Sequence, residues 1–278
     1  MALASLQMDK GDRQKVTDKS MSLEPLSANI ILSRLRTSEI GRPIYYFPRV
    51  SSTMDVALEE IERGATHGSA IIADEQTGGK GRLERGWVSP PGGVYLSIIL
   101  YPPRLLPSLT MIASLAVADC IEATTAIKPD IKWPNDVLIG GKKVCGILAQ
   151  SGVTPRGGGY AILGIGVNVN TDFSLRPEVA SIATSLAAVT GSDVSRLAII
   201  VSLLEHFEKR YQALVGGVLL WQEWKARLVT LNKFVSVRSG KEVFTGLAES
   251  VTPDGSLLLR LTDGTLKEIP AGDVTLRT

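Results

Sequence analysis

The sequence is poor in the residues that build disulfide scaffolds and metal centres, with 2 cysteines and 2 histidines among 278 residues. Both Cys120 and Cys145 lie in apolar runs, a pattern typical of buried, reduced thiols. His67 and His206 have no partner at ligand spacing, so neither receives a metal or catalytic role. These scarcities argue against a disulfide framework and against a His/Cys metal site.

The sequence also lacks a large excess of charge of either sign and lacks long apolar runs. With 30 basic and 28 acidic residues the net charge is +2, which gives no global signal for nucleic acid. No apolar run reaches the length of a membrane span, and the N-terminal one is too short for a secretion signal. We therefore expect a cytoplasmic protein without a membrane partner. Residues 1–25 carry mixed charge with little to bury and are expected to form a disordered tail.

Hydrophobic periodicity predicts helices over 52–64, 107–126, 192–214 and 218–228. Ser192 is the predicted cap of the third helix and Gly216-Gly217 its stop. Short β-type runs lie between them. Two of these runs flank Gly140-Gly141, which predicts a hairpin because a primed turn needs positive φ at both central positions.

The sequence pattern changes near residue 230, from helical periodicity to short β-type runs. Beyond it, five short β runs are joined by glycine-containing turns, a pattern typical of a small barrel of SH3 size. We therefore predict one large domain over 26–230 and a small β domain over 231–278.

The loop TGGKGRLERGW, residues 77–87, is rich in glycine and cations. It lacks P-loop spacing, but glycines let backbone N–H groups approach an anion, and Lys80, Arg82 and Arg85 add positive charge. Trp87 at its end is suited to stack on a purine. A solvated turn explains the same composition, and the loop alone leaves both interpretations open.

A second stretch, KWPNDVLIGGKK, covers residues 132–143. Pro134 restricts the residue before it to extended backbone, and Asn135-Asp136 then opens a turn at a strand end. Asp136 could hold magnesium or a substrate amine, while the hairpin returns Lys143 towards it. Taken alone, the pair favours a plain hairpin salt bridge.

Two further motifs are ambiguous by themselves. In GIGVNVN, residues 164–170, the glycines mark close approach of a ligand or another backbone, and Asn168 suits either a nucleotide or a turn. Ser52 and Thr53 stand at a helix start, where hydroxyl residues more often cap the helix than contact a ligand.

Together and in this order, the motifs resemble biotin protein ligases. The order is SST, then Q-x-x-G-K-G-R with a later tryptophan, then KWPND with a lysine seven residues beyond the aspartate, then G-x-G-x-N, and finally the small β domain. The resemblance covers Ile40 to the C-terminus. KWPND followed by GGKKVCGIL is the most specific part. The resemblance implies an α+β fold of class II synthetase type: a mixed, largely antiparallel sheet with helices over 26–230, which binds biotin and ATP, plus a C-terminal SH3-like barrel.

The resemblance also implies an activity. Members of the family activate biotin with ATP and Mg²⁺ to biotinyl-5′-AMP, and then transfer the biotinyl group to a lysine of a biotin carboxyl carrier domain of a biotin-dependent carboxylase. Some members carry an N-terminal DNA-binding domain; here too few residues precede the catalytic body, so we expect a ligase that binds no DNA. A homodimer through a sheet edge is implied, with a monomer as the alternative.

Roles carry over position by position as expectations of the resemblance. The implied catalytic residues are Lys143, Arg82, Lys80 and Asp136, the last also as magnesium ligand. The implied biotin-binding residues are Ser52, Thr53, Met54, Gln76, Lys80, Gly81, Arg82, Lys143 and Gly146. The implied ATP- or adenylate-binding residues are Gly79, Arg82, Trp87, Asn135, Lys143 and Asn168.

The sequence departs from the family pattern at three positions. Lys80 replaces an arginine, and it keeps the positive charge but lacks the planar guanidinium of arginine. Glu84 stands where glycine is common and is expected to point outward, and Met54 replaces an asparagine and is given at most a backbone role.

Two other functions compete with this interpretation. Lipoate protein ligases share the fold and the lysine-centred site, but KWPND, the glycine loop and the C-terminal β domain favour biotin. A non-catalytic nucleic-acid or nucleotide-binding module built on the basic loop is disfavoured by the near-neutral charge.

Overall fold

The computed structural model describes residues 25–102, 108–154 and 157–276; residues 1–24, which include almost all of the predicted disordered tail, lie outside this range. Seven strands form the large sheet: β1 (Ile44–Phe47), β2 (Ala70–Ala73), β3 (Val94–Leu100), β4 (Asp130–Lys132), β5 (Asp136–Ile139), β6 (Lys142–Val153) and β7 (Gly159–Val167). Their order is β1-β2-β3-β7-β6-β5-β4. Only β1 and β2 pair in parallel, which confirms the mixed, largely antiparallel sheet.

The helices are α1 (Ala28–Arg34), α2 (Thr53–Glu62), α3 (Leu109–Thr125), α4 (Pro177–Ala180), α5 (Leu186–Thr190), α6 (Arg196–Val215) and α7 (Trp221–Ala226). Helices α3 and α6 pack on one face of the large sheet and α2 packs on the other. Alternate residues of β3 face opposite sides, as the pleat requires. Leu96 and Ile98 pack in the cluster that includes α3 and α6, whereas Ile99 packs with Met54 and Ala57 of α2. The α2 face is the one that carries the cavity described below.

Five strands form a second, antiparallel sheet: β8 (Phe234–Ser239), β9 (Glu242–Val251), β10 (Leu257–Leu261), β11 (Leu266–Ile269) and β12 (Asp273–Leu276). The five runs expected from the sequence are therefore strands, while the boundary at residue 231 and the SH3-like class stay predictions. The core of this sheet continues into the large domain. Trp133 donates from Nε1 to the Gly255 carbonyl at 2.8 Å, and Trp224 packs in the same cluster.

The predicted hairpin is present, with φ of +57° at Gly140 and +78° at Gly141. The predicted cap of the long helix is wrong. Ser195, not Ser192, accepts the capping hydrogen bond, from the amide of Ala198. The reason is that Asn170 binds both the N–H and the C=O of Val194, so the chain is held outside the helix until the next residue.

Both cysteines are free and buried, as expected. Burial raises the pKa of Cys120 to about 12 and the pKa of Cys145 above the usual thiol range. Buried thiols of this kind are poor nucleophiles. Within the described ranges, no helix has both the length and the apolar character needed to cross a membrane.

Candidate active site

A cavity of about 280 Å³ lies on the α2 side of the large sheet. It is walled by the start of α2, the loop 79–87, strands β6 and β7, and Asp273 of the C-terminal sheet. All but one of the predicted site residues line it: Ser52, Thr53, Met54, Gln76, Lys80, Gly81, Arg82, Trp87, Asn135, Asp136, Lys143, Gly146 and Asn168. The exception, Gly79, lies behind the wall, where its carbonyl accepts from the Trp87 amide at 2.8 Å.

The start of α2 forms one end of the cavity. Ser52 has extended backbone, and its Oγ accepts from the amide of Met54 at 3.3 Å, so it is the helix cap. Ser52 and Thr53 are nevertheless almost fully buried at the cavity wall. Met54 also lines the cavity, and its side chain packs over Gly164.

The loop 79–87 folds back on itself over the cavity. Gly81 donates its amide to the Arg85 carbonyl at 2.7 Å. Leu83 and Glu84 at the tip have φ of +53° and +58°, a left-handed backbone that costs a non-glycine residue about 1–2 kcal/mol. Glu84 is exposed, in agreement with the expectation that it points outward.

Arg82 ties this loop to two distant elements. Its guanidinium donates to Asn135 Oδ1 and to the Gly272 carbonyl, each at 3.1 Å, and lies 3.9 Å from the Asp273 carboxylate. Arg85 forms an ion pair with the same carboxylate. Burial lowers the pKa of Arg82 below its usual value, opposed by Asp273 and Asp136, and the group remains a cation at neutral pH.

Lys143 and Asp136 form the hairpin salt bridge expected from the sequence, with Nζ 2.6 Å from Oδ1. A register shift between Val137 and Leu138 lets the two side chains meet across β5 and β6. Nζ also lies 5.0 Å from the centroid of the Trp87 ring. The ion pair therefore forms part of the cavity wall.

Two glycines form a flat floor under the indole of Trp87. Gly146 of β6 and Gly166 of β7 are cross-strand partners, and a Cβ at either one would collide with Trp87. The indole Nε1 and Asn168 Oδ1 are buried without a hydrogen-bond partner among the described residues. An unpaired buried polar group costs about 1–3 kcal/mol, so both atoms are suited to a polar ligand.

Lys80 forms an ion pair with Asp55 of α2 at the cavity mouth. Its predicted contact with substrate therefore requires this pair to open. Among the described residues no cluster of three or more His, Cys, Asp or Glu side chains could hold a metal ion. Asp136 lines the cavity and offers a carboxylate, which suits a magnesium ion whose other ligands are substrate phosphates and water.

Several lining residues were missed by the sequence patterns. Asp273 is brought to Arg82 only by tertiary folding, so no local signal marks it. Other lining residues that the sequence patterns did not mark include apolar and aromatic ones: Tyr95, Leu96, Phe173, Val179, Ile182 and Ala183. Arg85, which the sequence marked only as a cation of the loop, lines the cavity as well.

The cavity thus joins a hydroxyl- and amide-bearing end to a cationic end, and neither cysteine is among its lining residues. Residues 46–170 match the model of the biotin/lipoate A/B protein ligase family, and residues 230–277 match that of the biotin protein ligase C-terminal domain. A biotin–[acetyl-CoA-carboxylase] ligase of Paracoccus denitrificans is 32% identical over 236 residues, 81% of this chain and 97% of that protein. The bifunctional ligase/repressor BirA of Bacillus spizizenii is 36% identical over 258 residues, 90% of this chain and 79% of that protein.

A solved structure is also similar to this chain. The biotin protein ligase of Aquifex aeolicus in complex with biotin and ATP superimposes with a TM-score of 0.73 at 30% identity, over 85% of this chain and 99% of that one. Fold and cavity therefore define an ATP-dependent ligase. The chain belongs to the biotin protein ligase family.

Proposed function

We propose that this chain carries out both half-reactions of a biotin protein ligase in the cavity described above. In the first, a biotin carboxylate oxygen attacks the α-phosphorus of ATP. The new acyl–phosphate bond forms as the bond to the β-phosphate breaks, and pyrophosphate leaves. In the second, the amine of an acceptor lysine attacks the acyl carbon, AMP leaves with the electron pair, and the amine loses its proton to water.

One observation carries this proposal: Lys143 and Arg82 face a cavity whose other end presents Thr53 and Gln76. A carboxylate and a triphosphate repel each other, and fixed cations reduce this repulsion as charge builds up on the phosphates. The carboxylate is itself the nucleophile, so the absence of an accessible thiol is no obstacle. We infer that Lys143 and Arg82 bind the reacting anions and that Trp87 and Asn168 hold the nucleotide.

The ion pairs of the cavity fit this assignment. Asp136 binds Lys143, and Asp273 binds Arg82 and Arg85, so each cation has a carboxylate partner that a phosphate could replace. Loop 79–87 then stays over the product and keeps water from the mixed anhydride. Magnesium, which Asp136 would hold together with substrate phosphates, supplies further positive charge to the leaving group.

The acceptor that follows from this chemistry is a biotin carboxyl carrier domain. Homodimer formation, a cytoplasmic location and the absence of DNA binding stay predictions. Light scattering tests the first, and a salt-titrated DNA gel shift tests the last.

The decisive experiment is exchange of labelled pyrophosphate into ATP by the purified chain with Mg²⁺, comparing biotin with lipoate. We expect exchange with biotin alone. Exchange with lipoate alone would overturn the substrate, and no exchange with either acid by a folded chain would overturn the adenylation chemistry itself.

A further inference from the structure

The loop over the cavity consists of two short arms that are hydrogen-bonded to each other. The Trp87 amide donates to the Gly79 carbonyl at 2.8 Å, and the Gly81 amide donates to the Arg85 carbonyl at 2.7 Å. Main-chain hydrogen bonds of this antiparallel kind join the arms into one ribbon. The two arms therefore open and close together, and a contact made by one side chain restrains the whole loop.

Side chains on both edges of this loop pair with carboxylates of other elements. Arg82 and Arg85 face Asp273 of the C-terminal sheet. On the other edge, Lys80 forms an ion pair with Asp55, which lies in the first turn of α2. The loop is thus held over the cavity from two sides by groups of the chain itself.

Asp55 differs from the other carboxylates that pair with cations of the cavity. Asp136 and Asp273 line the cavity, whereas Asp55 does not, although its partner Lys80 does. The Nζ of Lys80 is therefore bound to a carboxylate outside the cavity wall. An anion inside the cavity meets a lysine whose charge is already partly neutralised.

We propose that Asp55 competes with the carboxylate of biotin for Lys80, so that a residue outside the cavity sets the affinity for the substrate acid. This inference rests on the proposed function, since biotin supplies the competing carboxylate. An ammonium group bound to one carboxylate attracts a second one less strongly, because the two anions repel each other. Binding of biotin therefore breaks the pair with Asp55 and is weakened by the free energy of that pair. Before biotin binds, the same pair keeps the loop closed.

The exposure of the pair limits the size of the effect. The side chains of Lys80 and Asp55 are 46% and 39% exposed, and pairs as exposed as this are weak and screened by salt. If the paired state is populated K times more than the open one, the pair lowers both the affinity for biotin and the open fraction of the loop by a factor of 1 + K. For an exposed pair K is about 1.4–5, so this factor is about 2- to 6-fold.

The test compares Asp55→Asn with the parent chain at low ionic strength. In biotin-dependent pyrophosphate exchange we expect the KM for biotin to fall about 2- to 6-fold, because Lys80 is then free to meet the carboxylate. Added salt should close this gap, since it weakens the pair in the parent. The inhibition constant of the alcohol analogue of biotin, which has no carboxylate, should be the same in both chains.

Proteolysis supplies a second readout that needs no enzymatic activity. Without substrate, trypsin should cut after Arg85 about 2- to 6-fold faster in Asp55→Asn than in the parent, because the loop opens more often. Cleavage after Lys80 is left aside, since the substitution frees this side chain directly. Competition thus predicts a loop that opens more often and yet binds biotin more tightly. General damage to the loop would loosen it and weaken binding as well.

Glu59→Gln is the matched control. Glu59 is exposed, lies one turn along α2 from Asp55 and pairs with Arg63 at the helix end. Its substitution removes the same charge from the same helix and should leave the biotin KM and the cleavage rate unchanged. In a Lys80→Met background, Asp55→Asn should change the biotin KM by less than about 1.5-fold, because the group for which the anions compete is gone. Asp55→Ser carries the test if Asp55→Asn does not fold.

Outcomes for the two proposals are distinct. A folded parent that shows no exchange with biotin would refute the proposed function, and equal trypsin cleavage of Asp55→Asn and the parent would refute the hold of Asp55 on the loop. A parent that uses biotin, with a biotin KM that is unchanged or higher in Asp55→Asn, would refute the competition alone. An equal gain for the alcohol analogue, or a gain that persists in the Lys80→Met background, would refute it too.

Discussion

The glycine floor under Trp87 gives the sharpest test of how the nucleotide end works. An alanine Cβ at Gly166 would lie 2.7 Å from Cε2 of Trp87 and closer still to Nε1. Carbon atoms pack best at about 3.5–4.0 Å, so the indole must move by roughly 1 Å. Overpacking of this kind costs about 1–3 kcal/mol. The indole, attached to a partly exposed loop, moves more easily than the central strand β7.

The expected result of Gly166→Ala is therefore a defect in ATP use with little loss of fold. If the nucleotide needs the indole seated on the floor, the 1–3 kcal/mol appears as a rise in the KM for ATP of about 5- to 150-fold. Pyrophosphate exchange at saturating biotin measures it, and thermal unfolding checks the fold. The KM for biotin should change less, because the three atoms nearest the added methyl group all belong to Trp87.

Two other glycines of the same strand serve as controls. Gly159 has no atom within 4 Å of its added Cβ, so Gly159→Ala should leave both KM values unchanged. At Gly164 the added Cβ meets Met54 Sδ at 2.7 Å, so Gly164→Ala should raise the KM for biotin instead. An unchanged ATP KM in Gly166→Ala, or equal defects in all three variants, would refute the assignment of Trp87 to the nucleotide.

Three further predictions concern charged residues. Lys143→Ala should reduce exchange by roughly 100-fold, as loss of a transition-state cation does, while its melting temperature stays near that of the parent; normal turnover would contradict this. Arg82→Gly should still form biotinyl-5′-AMP but release it faster, measured by the fraction of adenylate retained after rapid filtration; parent-like retention would refute loop closure. Glu208 accepts from three consecutive backbone amides, those of residues 38–40. Burial raises the pKa of Glu208, but these bonds together outweigh it and hold the pKa below 4.5. Its stabilising effect is therefore present above about pH 4.5 and is lost as pH falls through the lower, folded value. Urea titrations should show Glu208→Gln less stable than the parent at pH 7, with the gap closing in acid; a gap of unchanged size down to the lowest pH at which both proteins fold would argue against the carboxylate's role.

Features with a local physical cause were predictable from the sequence. Gly140-Gly141 fixes a hairpin because few other residues tolerate two positive φ values. The same hairpin returns Lys143 towards Asp136, as the order of residues along the chain predicts, although a register shift between Val137 and Leu138 is needed for the two side chains to meet. Ser52 is one of the two hydroxyl residues expected to cap their helix, and its hydroxyl accepts from the Met54 amide of that helix. In each case the partners are near neighbours along the chain.

Features that depend on distant partners were not predictable. Ser192 and Ser195 look equally good as caps, and Asn170, far along the chain, decides between them. Ser97 is one hydroxyl in a buried strand, and nothing near it reveals that Thr53 accepts its proton. The partner of Arg82 at Gly272 lies 190 residues away. Sequence patterns within a single strand or helix do not predict contacts between residues so far apart in the chain.

The two ends of the cavity are held by different interactions, directional hydrogen bonds at one end and ion pairs at the other. At the α2 end, neutral groups have fixed directions, which suits a neutral ring whose donors and acceptors must be told apart. At the opposite end, Asp136 and Asp273 hold Lys143 and Arg82 by charge, which depends little on direction and can be exchanged for phosphate. Substitutions that keep volume but remove a proton donor should therefore alter substrate choice. Substitutions that remove a charge should alter rate and retention of the intermediate.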